Sequence, residues 1–161
     1  MGGPSLEERL AILEAKDGAR EAMHRYWRSL DYKEWDELRD VFCEDADADW
    51  GGDWKANGRQ RIFDFLKANE SRSDLRLAHF GHNPEITVIS SVEATGIFKL
   101  EDWVTINGAT VMKSFGQYRM RFVREADGVW RIKELRLAYD YQERTDFYID
   151  GVRMKLTPAL D

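Results

Sequence analysis

Two of the three histidines lie in an apolar, strand-like stretch, "LRLAHFGHNPEI". If the stretch is extended, successive side chains alternate between faces, so His79 shares a face with Leu75 while His82 points to the opposite face. An imidazole titrates near physiological pH, and it serves as a proton carrier, a metal ligand or a partner in a core hydrogen bond. The sequence around His79 leaves these three uses open.

Metal binding is the first alternative to acid-base chemistry. His79 and His82 are three positions apart, which sends them to opposite faces of a strand, and no HExxH or CxxC pattern supplies further ligands. Cys43 has no motif around it, and the chain contains neither a GxGxxG sequence nor a phosphate-binding loop. We therefore expect no metal and no cofactor, and chemistry limited to the movement of protons.

A carboxylate occupies an apolar position in "GIFKLEDWVTI", where Asp102 shares a face with Leu100 and Val104. A buried carboxylate must find a hydrogen-bond donor or a cation, because an unpaired buried charge is very costly. A structural ion pair or a turn anchor explains Asp102 as well as a catalytic role does. In "GQYRMRFVR", Tyr118 shares a face with Met120 and can belong to the same interior.

The stretch "MHRYWRSLDYKEWDEL" places Tyr26 on a helical stripe with Met23 and Trp27, and Asp31 where the helix should end. Five positions span about 140° around an ideal helix, so Tyr26 and Asp31 converge only if the helix ends or unwinds between them. The alternatives are a packing role for Tyr26, and for Asp31 the N-cap of a following helix, in which Glu34 completes a capping box.

The elements that must position these residues begin with helices. Ser5 and Glu8 form a capping box, and a helical apolar spacing continues to Leu30, as one helix or as two joined near Asp17 and Gly18. Two shorter helices are predicted in "YKEWDELRDVF" and "GRQRIFDFLKANES", with a short strand in "DADADWGGDW" between them.

From residue 75 onward the apolar period changes to two, with turn signals at Asn107-Gly108 and Asp127-Gly128. Helices followed by an antiparallel meander predict an α+β fold, with the helices on one face of a curved sheet. We expect one domain over residues 1–161, with disorder left open for 1–7 and a C-terminal tail at 144–161.

Composition restricts the partners. A chain of 161 residues with 43% hydrophobic residues is large enough for one core and one pocket. The net charge of −6, with acids and bases interspersed, argues against nucleic acid or an anionic membrane as the main partner. The single cysteine and the lack of a signal-peptide or membrane-spanning segment favour a cytoplasmic location.

Four segments, "RYWRSLDYKEWDEL", "AHFGHNPEI", "GIFKLEDW" and "DGVWRI", resemble the SnoaL-like branch of the nuclear transport factor two superfamily in order and spacing. The resemblance runs from Glu8 to Glu143 and is strongest to bile acid 7α-dehydratases, then to scytalone dehydratases and hexachlorocyclohexane dehydrochlorinases. It implies a cone-shaped α+β barrel around one deep pocket, and a homo-oligomer, with a trimer favoured over a dimer.

The resemblance also implies a cofactor-free lyase, most simply a dehydratase acting next to a carbonyl. The positions that match the family's functional residues are Tyr26, Asp31, His79 and Asp102. His79 is then the base, Asp31 its orienting partner and Tyr26 the donor to the developing enolate oxygen, whereas His82 is expected to be structural. His79, or Asp102 if burial raises its pKa, supplies the proton to the departing hydroxyl.

Two positions depart from the family pattern. Tyr139 stands where the dehydratases carry an arginine on the last strand, with Arg136 in the opposite phase, and Trp50 replaces a tyrosine. We predict that an aromatic or polycyclic substrate contacts Met23, Trp27, Trp50, Phe80, Tyr118, Met120 and Tyr139. The alternatives are an isomerase, a polyketide cyclase or another lyase with the same pocket, and a non-catalytic domain that binds a small molecule or a partner.

Overall fold

The computed structural model describes residues 3–144, 147–149 and 152–154 of the chain. The helices are α1 (Leu6–Asp31), α2 (Trp35–Asp40) and α3 (Arg59–Glu70). The strands are β1 (Phe42–Asp49), β2 (Lys55–Asn57), β3 (Leu75–Ser90), β4 (Glu93–Ile106), β5 (Ala109–Arg124), β6 (Trp130–Arg144), β7 (Phe147–Ile149) and β8 (Val152–Met154). No helix in these ranges combines the length and the hydrophobicity that crossing a bilayer requires.

The amino-terminal part is one continuous helix rather than two. The Ser5 hydroxyl accepts a hydrogen bond from the Glu8 backbone N–H, and the Glu8 carboxylate accepts one from Ser5 in return, so the predicted capping box is present. Gly18 lies inside this helix, and Trp130 packs against it. Glycine is needed there because an added Cβ would lie 2.2 Å from the indole ring. It therefore extends into the segment 1–7, for which the sequence left disorder open.

Strands β1 to β6 form a six-stranded sheet in the order β2-β1-β6-β5-β4-β3. The predicted antiparallel meander accounts for β3 to β6, and Asn107 and Gly108 have the positive φ angles, 51° and 80°, that a tight hairpin turn requires. One junction outside the meander is parallel, because β1 pairs with β6 in that direction. That pairing joins segments far apart in sequence, which local periodicity does not reveal.

The core fills the space between α1 and the sheet face that α1 covers. Alternation along β4 and β5 buries one side chain in two, and the buried set from both layers includes Ala19, Met23, Phe98, Tyr118 and Phe122. Within the predicted tail 144–161, Arg144 belongs to β6, and β7 pairs with β8 as a separate hairpin. The rest of that tail lies outside the described residues.

Candidate active site

His79 and Asp31 form the closest pair in the site. Asp31 is the last residue of α1, where the helix ends, and one of its carboxylate oxygens lies 2.6 Å from Nδ1 of His79. Its other oxygen accepts a hydrogen bond from the His79 backbone N–H at 3.0 Å. Both side chains are mostly buried, with 8% of His79 and 16% of Asp31 exposed. Since Glu34 occupies the N-cap of α2, the alternative role of Asp31 as a helix cap is excluded.

This double contact determines the chemistry of the imidazole. A carboxylate only accepts hydrogen bonds, so Nδ1 must carry a proton to bind Asp31. In the neutral ring Nε2 then holds the free electron pair. The pair therefore presents a base nitrogen on the side of the ring that faces away from α1.

Asp102 lies directly across from His79 in the register of β3 and β4. Only 5% of Asp102 is exposed, and one carboxylate oxygen is 3.4 Å from the Tyr139 hydroxyl. The other oxygen, Oδ1, is buried without a hydrogen bond from any described residue. Burial raises the pKa of Asp102 above its ordinary value, although hydrogen bonds from Ser114 and Tyr139 oppose that rise.

Tyr26 is buried on α1, and its hydroxyl oxygen accepts a hydrogen bond from the indole N–H of Trp50 at 2.9 Å. The ring of Tyr118 lies edge-on to the Tyr26 ring, with the two centroids 6.3 Å apart. Burial raises the pKa of Tyr26 well above its ordinary value, so the phenol stays protonated at neutral pH. No described residue accepts a hydrogen bond from the Tyr26 hydroxyl, so its proton remains available for an external acceptor.

Met23, Trp27 and Met120 are buried in the same core cluster as Tyr26. The ring of Trp27 lies across the backbone of Gly81, two residues after His79, and an added Cβ at Gly81 would come within 2.0 Å of it. This close approach requires glycine at position 81. The indole N–H of Trp27 is buried and has no acceptor among the described residues.

The prediction that Phe80 contacts substrate is wrong. Strand alternation turns Phe80 to the face opposite His79, where 46% of the side chain is exposed and the ring packs against Trp103. His82, also predicted to lie apart from His79, has 52% of its side chain exposed, and its ring is 3.8 Å from the carboxylate of Glu101. Neither residue belongs to the site.

The last strand brings Tyr139 to the site and leaves Arg136 outside it. Tyr139 approaches Asp102, while Arg136 forms an ion pair with Asp47 on β1. Burial raises the pKa of Tyr139 well above its ordinary value. Within the part of the chain that the structure describes, no group of three or more His, Cys, Asp or Glu residues is arranged to hold a metal ion.

Comparison with known proteins agrees with this architecture. The sequence profile of the SnoaL-like domain matches residues 11–136, which is most of the chain. The protein belongs to the SnoaL-like family. A putative scytalone dehydratase from Novosphingobium aromaticivorans superimposes with a TM-score of 0.73 at 21% identity, over 91% of this chain and 96% of that one.

Two further solved structures have the same fold. A hexachlorocyclohexane dehydrochlorinase from Novosphingobium barchaimii gives a TM-score of 0.74 at 17% identity, over 92% of this chain and 99% of that one. The ActVI-ORFA protein of Streptomyces coelicolor gives 0.68 at 16% identity, over 80% of this chain and 97% of that one. These likenesses establish the fold, while the closer resemblance to bile acid 7α-dehydratases stays a prediction.

Sequence reasoning missed one ionisable group of this SnoaL-like site. Glu70 is the last residue of α3 and is partly buried. It interacts electrostatically with His79 and Asp102, and its charge raises the pKa of Tyr26 and Tyr139. Burial raises the pKa of Glu70 to about 7. In the sequence, "KANES" reads as the polar end of a helix, and only the chain reversal from α3 into β3 brings this carboxyl to the site.

Proposed function

We propose that this protein is a cofactor-free lyase that eliminates water next to a carbonyl group of an aromatic or polycyclic small molecule. The observation that carries the proposal is the double hydrogen bond from His79 to Asp31, which leaves Nε2 as the base. Neutral Nε2 removes a proton from the carbon α to the carbonyl, or from its vinylogous position. Asp31 then stabilises the imidazolium that forms.

The negative charge that develops on the carbonyl oxygen needs a donor, and Tyr26 supplies it. Its hydroxyl oxygen accepts a hydrogen bond from the indole N–H of Trp50, which polarises the O–H bond and fixes its position before the substrate arrives. Trp50 stands at a position that departs from the family pattern, and its indole N–H donates this hydrogen bond to the Tyr26 oxygen. An oriented donor of this kind contributes roughly 10² to 10³ in rate.

The ring-rich wall supports an aromatic or polycyclic substrate. Trp27 and Trp50 belong to the same buried cluster as Tyr26, and aromatic rings of this kind stack on planar ligands. Met23 and Met120 lie in the same cluster, and their flexible thioethers adapt to irregular shapes. The expected product is a conjugated carbonyl compound and water.

The test is turnover of a panel of β-hydroxy ketones, steroid enones and phenolic compounds by the purified protein, with products identified by mass. Loss of 18 mass units is expected, and it should persist after prolonged chelation with EDTA. His82→Ala is the matched control for His79→Ala, because the same residue type is removed outside the site. A product of unchanged mass would mean isomerisation or cyclisation by the same base, and equal turnover by both variants would rule out His79 as the base. No turnover of any compound by the wild type would favour the binding-domain alternative.

The homo-oligomer also remains a proposal. Phe80, Trp103, Phe115 and Tyr141 lie on four adjacent strands of the outer sheet face, and each is more than a third exposed. Contiguous exposed aromatic surface of this kind is typical of protein interfaces. Sedimentation equilibrium should give the mass of a trimer, and a monomer at micromolar concentration would contradict the proposal.

A further inference from the structure

Glu70 is the one carboxyl near His79 that has no assigned task. Among the described residues it forms no hydrogen bond and no ion pair, although it is partly buried. Lys33 is close enough for its charge to act on Glu70, yet its ammonium group donates to the backbone carbonyls of Leu75, at 3.1 Å, and Arg72. A carboxyl that is shielded from water and left without a partner is costly unless a ligand uses it.

The other groups around Glu70 come from four different elements. The charges of His79 on β3 and Asp102 on β4 shift the pKa of Glu70. The charge of Glu70 in turn raises the pKa of Tyr26 on α1 and of Tyr139 on β6. Glu70 therefore belongs to the same electrostatic cluster as the proposed base and the proposed enolate donor. It reaches that cluster from α3, whereas the base and Asp102 come from the sheet.

Elimination of water requires an acid as well as a base, and Asp102 is the less suitable of the two carboxyls. Hydrogen bonding from Ser114 and Tyr139 favours the charged form of Asp102, and the Tyr139 hydroxyl lies 3.4 Å from one of its oxygens. Glu70 receives no hydrogen bond from a described residue.

We propose that Glu70 is the general acid that protonates the departing hydroxyl, an inference that rests on the lyase reaction proposed above. When the C–O bond breaks, its electron pair leaves with the oxygen, and the proton of the Glu70 carboxyl completes the water molecule. Glu70 becomes a carboxylate and His79 is left as an imidazolium. Transfer of that proton back to Glu70, directly or through water, restores both groups, so the net products are the conjugated carbonyl compound and water.

The protonation state of Glu70 suits this role. Burial raises its pKa to about 7, and the negative charge of Asp102 works in the same direction, while Lys33, and His79 once it is protonated, oppose it. A large fraction of the carboxyl is therefore protonated at neutral pH. An acid whose pKa lies near the working pH is the most effective proton donor.

The experiment compares two reactions of Glu70→Gln, which keeps the size of the side chain and loses the transferable proton. The first is elimination from a β-hydroxy ketone fused to an aromatic ring, followed by absorbance. The second is exchange of the α-hydrogen for deuterium in D₂O, followed by NMR on the parent ketone without the hydroxyl. Exchange needs the base alone, and elimination of hydroxide needs the acid too.

We expect Glu70→Gln to lower kcat for elimination by about 100-fold or more and to change α-exchange by less than threefold. With a β-chloro ketone, whose chloride leaves without a proton, the loss should shrink to less than about fivefold. Glu21→Gln, an exposed residue of α1, is the matched control for the loss of one negative charge, and both rates should match the wild type. Glu70→Asp, which keeps the acid, should retain more elimination than Glu70→Gln.

The outcomes separate this inference from the proposed function. Wild-type elimination by Glu70→Gln, or equal losses with the hydroxy and chloro ketones, would overturn the acid assignment while the His79 reaction stands. If the wild type shows no α-exchange, or if His79→Ala exchanges as fast as the wild type, the lyase proposal itself fails, and the acid role of Glu70 falls with it.

Discussion

Two groups of charged residues in this molecule differ in how completely they are paired. At one end of the sheet, the buried guanidinium of Arg131 donates to carboxylates of Asp40, Glu125 and Asp127 at 2.8–3.0 Å, and to the Asp40 backbone carbonyl. In the candidate site, Asp102 keeps one buried oxygen without a donor and Glu70 has no partner among the described residues.

The pKa directions follow the same division. The Val129 backbone N–H and the Arg131 guanidinium hold the pKa of Asp127 below its ordinary value, whereas burial raises the pKa of Glu70 and of Asp102. Charges that are fully paired stabilise the fold at their own location. Carboxyls that are buried and left short of donors cost stability, and such groups are concentrated at functional sites.

The largest effect should come from the site. We expect His79→Ala to lower kcat by about 10³-fold or more, because the base acts mainly in the transition state. The melting temperature should change by only a few degrees. Steady-state kinetics and calorimetry on this variant and on the control His82→Ala measure both quantities. Comparable losses of activity in the two variants would remove the distinction between the site and the surface.

The Arg131 cluster should give the opposite result. Arg131→Met leaves several carboxylates around a buried position without their cation, and we expect the free energy of unfolding to fall by about 3–5 kcal/mol. Denaturant titration measures that loss, and kcat of the folded fraction should be unchanged. A large fall in kcat without a loss of stability would show that this cluster also serves the reaction.

An intermediate effect is expected for Tyr26→Phe. The change removes the donor to the enolate oxygen and should lower kcat by roughly 10²-fold. It also leaves the buried Trp50 N–H without its acceptor, at a cost of about 1–3 kcal/mol in unfolding free energy. Measuring kcat and the free energy of unfolding on this one variant separates the donor role of Tyr26 from its packing role. An unchanged kcat would refute the donor role.

A smaller effect should appear in the pH dependence of stability. Glu70 has an ordinary pKa of 4.5 and a folded pKa of about 7, so between these values the folded state holds a proton that the unfolded state has lost. Its contribution to stability therefore falls as the pH rises from about 4.5 to 7, by at most about 3 kcal/mol. Glu70→Gln should lack this fall. Parallel pH profiles of unfolding for the two proteins would contradict the raised pKa.

Local patterns predict the parts of the site that lie on single elements. Alternation along β3 and β4 predicted that His79 and Asp102 face inward, as they do. The same alternation places Phe80 on the outer face, so its inclusion among the pocket residues conflicted with the pattern. The convergence of Asp31 on His79 came from the resemblance, because helix periodicity alone left it open. The parallel pairing of β1 with β6 and the arrival of Glu70 depend on contacts between distant segments, which local periodicity does not encode.

The central claim is that Asp31 and His79 act as one unit, and a double-mutant cycle on kcat/KM tests it most directly. Asp31→Asn keeps the size of the side chain but removes the charge that supports the imidazolium, so it should be severe alone. The account predicts that Asp31→Asn combined with His79→Ala is no worse than His79→Ala within about threefold. Losses that multiply in the double variant, or near-normal turnover by Asp31→Asn, would contradict it.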